Sequence, residues 1–237
     1  MTRITLLFSS KYEANTNKER PTKNKTALGP VSFADKLNLA KFVKIKIKMN
    51  NKVVIFSAPS GSGKSTIVNH ILSLHPEMEF SVSATSRAPR GREKDGVEYR
   101  FFTTEEFRAL IEKDSFVEYE EVYAGRYYGT LKEEVERIWS KNHVIIFDVD
   151  VKGGVNLKKY FGEKALSIFI QAPSVETLRE RLLKRGTDSL EEIEKRVAKA
   201  EEEMTFADKF DMIIINDELQ AALAEAEEAV ASFLGKA

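Results

Sequence analysis

The alternation of apolar and polar residues becomes regular from residue 52 onward. Apolar runs of strand length occur at "KVVIFS" (52–57), "HVIIFDVD" (143–150), "ALSIFIQA" (165–172) and "FDMIIIND" (210–217). Each run is followed by a polar segment that suits a helix, and "STIVNHILSL" repeats its apolar residues at helical spacing. Strands that alternate with helices predict an α/β fold, in which helices cover both faces of a parallel sheet.

Two segments depart from this rhythm. Residues 83–130 contain the short, aromatic-rich runs "GVEYRFF", "FVEYEEVY" and "RYYGT" around a helical "TEEFRALIEK", which predicts a small α+β insertion. The core is then formed by residues 49–82 and 141–237. Residues 182–196 place Gly186 between two helices, which predicts a mobile helical lid. Ser189 and Glu192 predict a capping box at the start of its second helix.

The loop after the first apolar run reads "APSGSGKST". It matches the phosphate-binding pattern G-x-x-x-x-G-K-[ST] except that Ala58 stands at the first glycine. Alanine suits that strand exit if its φ is negative. We expect the backbone to bind ATP phosphates, Lys64 to reach the β- and γ-phosphates, and the Ser65 hydroxyl to bind Mg²⁺. The loop residues predicted to bind ATP are Ser60, Gly61, Ser62, Gly63, Lys64, Ser65 and Thr66.

Two acidic residues, Asp148 and Asp150, follow the apolar "VIIF". A carboxylate at the carboxyl end of a buried strand is well placed to organise Mg²⁺, directly or through water, together with Ser65. Simple solvation of a strand end is the alternative interpretation.

Arg87 and Arg90 lie three residues apart, with Tyr99 downstream. Such arginines are often only a solvated basic face, but beside a phosphate-binding loop they predict a second phosphate site.

These motifs together resemble the guanylate kinase family, over nearly all of residues 50–237. The resemblance rests on "SAPSGSGKST", "FSVSATSRAPRGREKDGVEYRF", "FVEYEEVYAGRYYGT", "IIFDVDVKGG" and "RLLKRGT". It implies a P-loop NTPase-type fold, with residues 83–130 as the GMP-binding domain. It also implies transfer of the ATP γ-phosphate to GMP, giving ADP and GDP, with Mg²⁺ as cofactor. Residues 1–48 match nothing in the family.

The resemblance also implies roles for individual residues. The GMP phosphate would be held by Arg87, Arg90, Tyr99 and Tyr128. The guanine would contact Ser83, Glu118 and Thr130, with Asp148 nearby. The catalytic arginines of the lid, acting with Lys64, would be Arg181, Arg185 and Arg196. Asn216, after the last strand, would lie near the adenine of ATP.

Guanine recognition gives a chemical reason for a carboxylate at position 118. Guanine presents two donors on one edge, and a carboxylate can accept both hydrogen bonds at once. Adenine would leave the carboxylate unpaired, which can discriminate by ~10⁴–10⁵. Glu118 could instead be one of several exposed strand acids.

Two other functions are alternatives. Tyr99 and Glu118 argue against a kinase of another phosphorylated small molecule, such as a ribose bisphosphate. A phosphopeptide-binding scaffold domain would not need the intact Gly63-Lys64-Ser65.

Charge divides the chain unevenly although its formal net charge is zero. Residues 1–48 carry eleven Lys or Arg and three Asp or Glu, so the remainder is acidic. This basic segment could be a targeting peptide, a nucleic-acid-binding tail, or an extension outside the fold of 49–237. We favour the last and expect it to be disordered. There are no cysteines, which fits a cytoplasmic protein. We expect ATP and GMP as partners, neither nucleic acid nor membrane, and a homodimer remains open.

Overall fold

The structure is a computed structural model that describes residues 51–186 and 188–235, without the side chain of Tyr123. The basic segment 1–48 lies outside the described residues. The strands are β1 (Val53–Ser57), β2 (Met78–Phe80), β3 (Ala84–Thr85), β4 (Arg100–Phe101), β5 (Phe116–Tyr123), β6 (Arg126–Leu131), β7 (Val144–Val149), β8 (Ala165–Gln171) and β9 (Met212–Ile215). The α-helices are α1 (Lys64–Leu74), α2 (Thr104–Glu112), α3 (Lys132–Ser140), α4 (Val151–Phe161), α5 (Val175–Arg185), α6 (Leu190–Met204) and α7 (Leu219–Leu234). Short 3₁₀ turns follow α4 and α6.

A five-stranded parallel sheet forms the centre of the fold, in the order β2-β7-β1-β8-β9. Every residue of β1 is buried because helices cover both faces of the sheet. Val54 and Phe56 pack with α1 and α7, whereas Val53 and Ile55 pack with α3 and α4. The predicted α/β fold is therefore confirmed. No helix within the described ranges is long and apolar enough to cross a membrane.

A second, four-stranded sheet has the order β4-β3-β6-β5 and lies within the segment predicted as an insertion. Helix α2 covers it, and the ring of Phe107 stacks between those of Phe116 and Tyr127. Thr103 and Glu106 form a full capping box at the start of α2. Because this sheet has its own apolar cluster, it is a small structural unit beside the central sheet.

Helix α3 falls between the predicted insertion and the predicted second part of the core. Val135 and Ile138 of α3 are buried against β1 and β7, so the helix packs on the central sheet. In the predicted lid, Gly186 ends α5 with φ 67°, a left-handed conformation that favours glycine. Ser189 then accepts the N–H of Glu192 at the start of α6, as one half of the predicted capping box.

A buried carboxylate links the two sheets. Glu134 on α3 is 1% exposed, and its Oε1 accepts the backbone N–H of Val82, which lies where the chain passes from β2 to β3. Its oxygens also accept two hydrogen bonds from Arg137, each 2.8 Å long. Arg100 of the smaller sheet lies 3.5 Å away. Burial alone would raise the pKa of Glu134, but the hydrogen bonds from Arg137 and Val82 outweigh it and lower the pKa.

We expect Glu134→Gln to lower the free energy of unfolding by about 1–3 kcal/mol, because an amide cannot accept all of these hydrogen bonds. Urea unfolding measures the change. Glu133→Gln is a matched control, since Glu133 is the next residue on the same helix and is mostly exposed in its ion pair with Arg100. The control should change stability by less than about 0.5 kcal/mol. Equal effects of the two substitutions would contradict a special role for Glu134.

Candidate active site

The loop between β1 and α1 has the geometry that a phosphate-binding loop requires. Gly61 and Gly63 have φ values of 97° and 92°, and Gly63 directly precedes the first residue of α1. Among the described residues, the non-glycine positions with positive φ are Asn51, Asp114 and Asn142. Ala58 is not among them, so alanine at the first glycine position leaves the turn unstrained. The loop therefore presents the N-terminus of α1, where backbone N–H groups favour an anion.

Lys64 contacts the carboxyl end of the neighbouring strand β7. Its ammonium group donates a hydrogen bond of 2.8 Å to the carbonyl of Val149 and forms an ion pair with Asp148. Both side chains are about four-fifths covered, at 17% and 21% exposed. The loop lysine and the predicted strand-end acid therefore lie together at one edge of the sheet.

Asn216, the first residue after β9, supports the loop through a hydrogen bond. Its side-chain amide donates a hydrogen bond of 2.7 Å to the carbonyl of Ser62, and Asn216 is buried. A Cβ atom on Gly63 would lie 2.3 Å from the nitrogen of this amide. The carbonyl of Asn216 in turn accepts a hydrogen bond of 2.8 Å from Arg181. Asn216 was predicted to lie near adenine, and the structure shows that its side chain supports the loop.

A cavity of about 950 Å³ lies over this loop. Of the predicted lid arginines, Arg185 and Arg196 line it, whereas Arg181 lies at Asn216 outside the lining. Arg196 donates a hydrogen bond of 2.8 Å to the Ser60 hydroxyl, so α6 already contacts the loop. Of the predicted loop residues, the cavity contacts all but Ser62, which is buried: Ser60, Gly61, Gly63, Lys64, Ser65 and Thr66.

A second cavity, of about 300 Å³, opens between the two sheets. Among its walls are the predicted GMP-binding residues Ser83, Tyr99, Glu118, Tyr128 and Asp148. The hydroxyl of Thr130, which is buried, donates a hydrogen bond of 2.9 Å to Oε1 of Glu118. The other carboxylate oxygen, Oε2, takes no part in that bond.

Burial raises the pKa of Glu118 to about 7, against the opposing hydrogen bond from Thr130 and with support from the charge of Asp150. The carboxyl group of the free protein is therefore about half ionised near neutral pH. A ligand that offers two donors would favour the ionised form, so its binding would release protons at and below this pH.

This shift predicts a pH-dependent contribution to stability. Because the pKa is raised on folding from 4.5 to about 7, the stability contribution of Glu118 is complete below pH 4.5 and is lost as pH rises to 7. Glutamine does not ionise, so Glu118→Gln removes this pH-dependent fall in stability. We expect the variant to gain about 2–3 kcal/mol relative to the unchanged protein between pH 4.5 and 8, measured by urea unfolding of both proteins. A difference that does not change with pH would contradict the raised pKa.

The two predicted phosphate arginines differ in setting. Arg87 is 9% exposed, and its guanidinium lies 4.9 Å from the centroid of the Tyr99 ring. The ring of Tyr99 meets that of Tyr128 edge-on at 6.0 Å, and both rings line the second cavity. Arg90 is exposed. The structure thus brings Arg87, Tyr99 and Tyr128 into one cluster, with Arg90 at its outer side.

Sequence reasoning missed a polar stripe on α6. Glu192, Lys199 and Glu203 line the loop cavity with Arg196, at helical spacing along one face of the helix. The opposite face carries the buried residues Ile193, Val197 and Ala200. Burial raises the pKa of Glu203, against the opposing charge of Lys199. The spacing of polar residues opposite an apolar stripe was the signal that could have identified them.

Oxygen atoms suited to a divalent cation lie in the walls of the loop cavity. Ser65, Asp148 and Asp150 all line it, although one oxygen of Asp150 accepts the N–H of Gly153 at 2.8 Å to cap α4. Across the described part of the chain, no group of three His, Cys, Asp or Glu could hold a metal by itself. A partial shell of oxygen ligands suits Mg²⁺, which keeps several waters and shares phosphate oxygens.

Comparisons with known proteins agree with this geometry. The family model described as Guanylate kinase matches residues 50–233. A guanylate kinase from Bacteroides thetaiotaomicron is 61% identical over 189 residues, covering 80% of this chain and 93% of that protein. One from Porphyromonas gingivalis is 54% identical over 186 residues, covering 78% and 99%. A crystal structure of guanylate kinase from Anaplasma phagocytophilum aligns with a TM-score of 0.60 and 27% identity, covering 78% and 86%. This chain therefore belongs to the guanylate kinase family.

Proposed function

We propose that this protein transfers the γ-phosphoryl group of ATP to GMP, giving ADP and GDP. The observation that carries the proposal is that the loop cavity and the Glu118 cavity share walls. Tyr99, Asp148, Val149 and Asp150 line both. A nucleoside triphosphate over the loop and a guanine at Glu118 would therefore direct their phosphates toward one another, which is the arrangement that direct transfer needs.

The smaller sheet and its surroundings, residues 83–130, would act as the GMP-binding domain. Glu118 would accept hydrogen bonds from guanine, while Ser83 and Thr130 would complete the base contacts. The phosphate would be held by residues from this same unit, namely Arg87, Arg90, Tyr99 and Tyr128. Asp148, on the central sheet, would close the other side of the site.

Phosphoryl transfer requires charge neutralisation more than covalent chemistry. Lys64 would exchange its contacts with Asp148 and Val149 for the β- and γ-phosphates. Arg185 and Arg196 would approach the transferring group from the lid, residues 182–196, and Arg181 would stabilise the lid base. Closure of lid and insertion would exclude water, so that ATP hydrolysis is suppressed until GMP binds.

Mg²⁺ is part of the same proposal. The Ser65 hydroxyl would bind it, with Asp148 and Asp150 acting directly or through water. The ion supplies charge neutralisation on the β- and γ-phosphates when bound. The loop and its helix dipole orient those phosphates, and Asp148 can take this role only after it releases Lys64.

The other parts of the proposal concern the rest of the chain. The family match begins at residue 50, so residues 1–48 are proposed to take no part in phosphoryl transfer. We propose a cytoplasmic location, where both nucleotides are present.

A coupled assay of ADP release across nucleoside monophosphates tests the proposal. With ATP and Mg²⁺ present, GMP should give the highest kcat/KM, and AMP should be poorer by several orders of magnitude. Equal use of AMP and GMP would contradict base recognition by Glu118. Turnover only with a phosphorylated sugar would contradict the proposed substrate, and tight binding of GMP without turnover would contradict the enzymatic activity.

A further inference from the structure

Glu93 holds the buried arginine of the GMP-binding domain from one side. Its two carboxylate oxygens accept hydrogen bonds from the two terminal nitrogens of Arg87, at 2.6 Å and 2.8 Å. The same carboxylate accepts the backbone N–H of Arg90 at 2.8 Å. The Arg87 hydrogen bond, and then that of Arg90, lowers the pKa of Glu93 to about 2, so the group is ionised throughout the neutral range. A bidentate pair of this kind fixes the plane of a guanidinium as well as its position.

Two neighbouring aromatic rings also lie against the guanidinium of Arg87. Its guanidinium lies 4.9 Å from the centroid of the Tyr99 ring and 5.7 Å from that of Phe101. One terminal nitrogen also donates to the carbonyl of Ala88 at 3.0 Å. Rings and hydrogen bonds together restrict the orientation of this side chain.

A count of N–H groups shows which edge of the Arg87 guanidinium is not bound by Glu93 or Ala88. A guanidinium carries five N–H groups, and Glu93 and Ala88 take three of them in Arg87. The remaining two are the Nε–H and one N–H on Nη2. These two lie parallel on the same edge of the guanidinium, the arrangement that binds two oxygens of one phosphate. The side chains of Tyr99 and Tyr128, which both line the second cavity, also form hydrogen bonds with Arg87.

We propose that Glu93 is a positioning residue, which fixes Arg87 so that this second edge is preset to bind the phosphate of GMP. This inference rests on the proposed function, because it takes the ligand at that edge to be a nucleoside monophosphate. A long arginine side chain otherwise loses substantial rotamer freedom on binding. Because Glu93 already restricts Arg87 in the free protein, GMP binding costs less side-chain entropy.

The opposite role for Glu93 makes an opposite prediction. If its carboxylate occupied the place of the phosphate, GMP would have to displace it, and neutralising Glu93 would tighten binding. If Glu93 positions Arg87, neutralising it releases the guanidinium and weakens binding. The sign of the change therefore separates the two roles.

Calorimetric titration of the full chain with GMP and with guanosine tests the proposal. Glu93→Gln should weaken GMP binding about ten-fold, by analogy with other residues that orient a ligand-binding group. Guanosine binding should change by less than two-fold, because guanosine lacks the phosphate. Glu98→Gln is the matched control: Glu98 lies in the same loop, is exposed, and accepts the backbone N–H of Lys94. It should change neither affinity by more than two-fold.

A second variant shows whether the effect passes through Arg87. Lysine cannot form the bidentate pair, so Arg87→Lys should weaken GMP binding, and adding Glu93→Gln should then cost less than two-fold more. A kinetic split should follow, in which Glu93→Gln raises KM for GMP with kcat within about three-fold. Tighter GMP binding by Glu93→Gln, an equal loss of guanosine binding, or an additive double variant would each overturn the proposal.

The unchanged protein separates this inference from the proposed function. If it binds GMP no more tightly than guanosine, the phosphate site itself is wrong and the proposed function fails with it. If it prefers GMP strongly and Glu93→Gln retains that preference, the site stands and only the role of Glu93 is overturned.

Discussion

Lys64→Ala should lower turnover of ATP and GMP by ~10²–10³-fold or more, because it removes the one side-chain charge that the loop itself delivers to the phosphates. The structure adds a second consequence. Lys64 neutralises Asp148 in the free protein, so the alanine variant leaves a largely covered carboxylate without its cation. Some loss of stability should accompany the loss of activity. Steady-state kinetics and urea unfolding measure the two effects.

A double variant separates these effects. Adding Asp148→Asn to Lys64→Ala removes the unpaired charge, so stability should recover while turnover should not. Lys64→Met, which keeps much of the side-chain volume, should be as inactive as Lys64→Ala. Near-normal turnover in any of the three variants would show that this loop is not the ATP site.

Glu118→Gln should lower kcat/KM for GMP by ~30- to 1,000-fold, equivalent to about 2–4 kcal/mol. The Thr130 hydroxyl bond gives the reason. Because that hydroxyl donates to one oxygen of position 118, the amide oxygen of glutamine should take that place. Its NH₂ group would then face the cavity, donor against donor on guanine. The affinity for ATP should change little.

The measurement is kcat/KM for GMP and AMP at saturating ATP and at pH 8, where Glu118 is mostly ionised. AMP use should rise relative to GMP, since an amide can pair with adenine. Glu121→Gln is a suitable control, because Glu121 is exposed on the same strand and accepts the N–H of Gly125. GMP efficiency within three-fold of normal in the Glu118 variant would show that another group recognises the base.

The middle of the central sheet could be predicted from sequence because β1, β7 and β8 are largely buried on both faces and therefore appear as continuous apolar runs. Strands β2 and β3 have three and two residues, too few to show any periodicity. Helix α4 contains two adjacent glycines, which disfavour a helix by propensity. The structure shows the reason for one of them. A Cβ on Gly154 would lie 2.2 Å from the Ser57 hydroxyl, so close packing of α4 on β1 requires glycine there.

The candidate site could be predicted where a residue belongs to a recognisable motif, as do Lys64 and Glu118, which each line one of the two cavities. It was not predictable where a role depends on which residues meet across the fold. Asn216 follows a strand, and nothing in its neighbours shows that its amide supports Ser62. Glu93 is three residues from Arg90 in sequence, yet its pairing with Arg87 depends on how the loop folds back. Such contacts are set by tertiary structure.

The contact between Gly63 and Asn216 constrains how this sequence can change over time. A side chain at position 63 meets two separate obstacles, the amide of Asn216 and a φ of 92°. Shortening Asn216 would remove the first obstacle but not the second. It would also break the hydrogen bond from Asn216 to the carbonyl of Ser62. No single compensating substitution therefore opens a mutational path at position 63. We expect descendants of this chain that keep phosphoryl transfer to retain glycine there, even after much of the surrounding sequence has diverged.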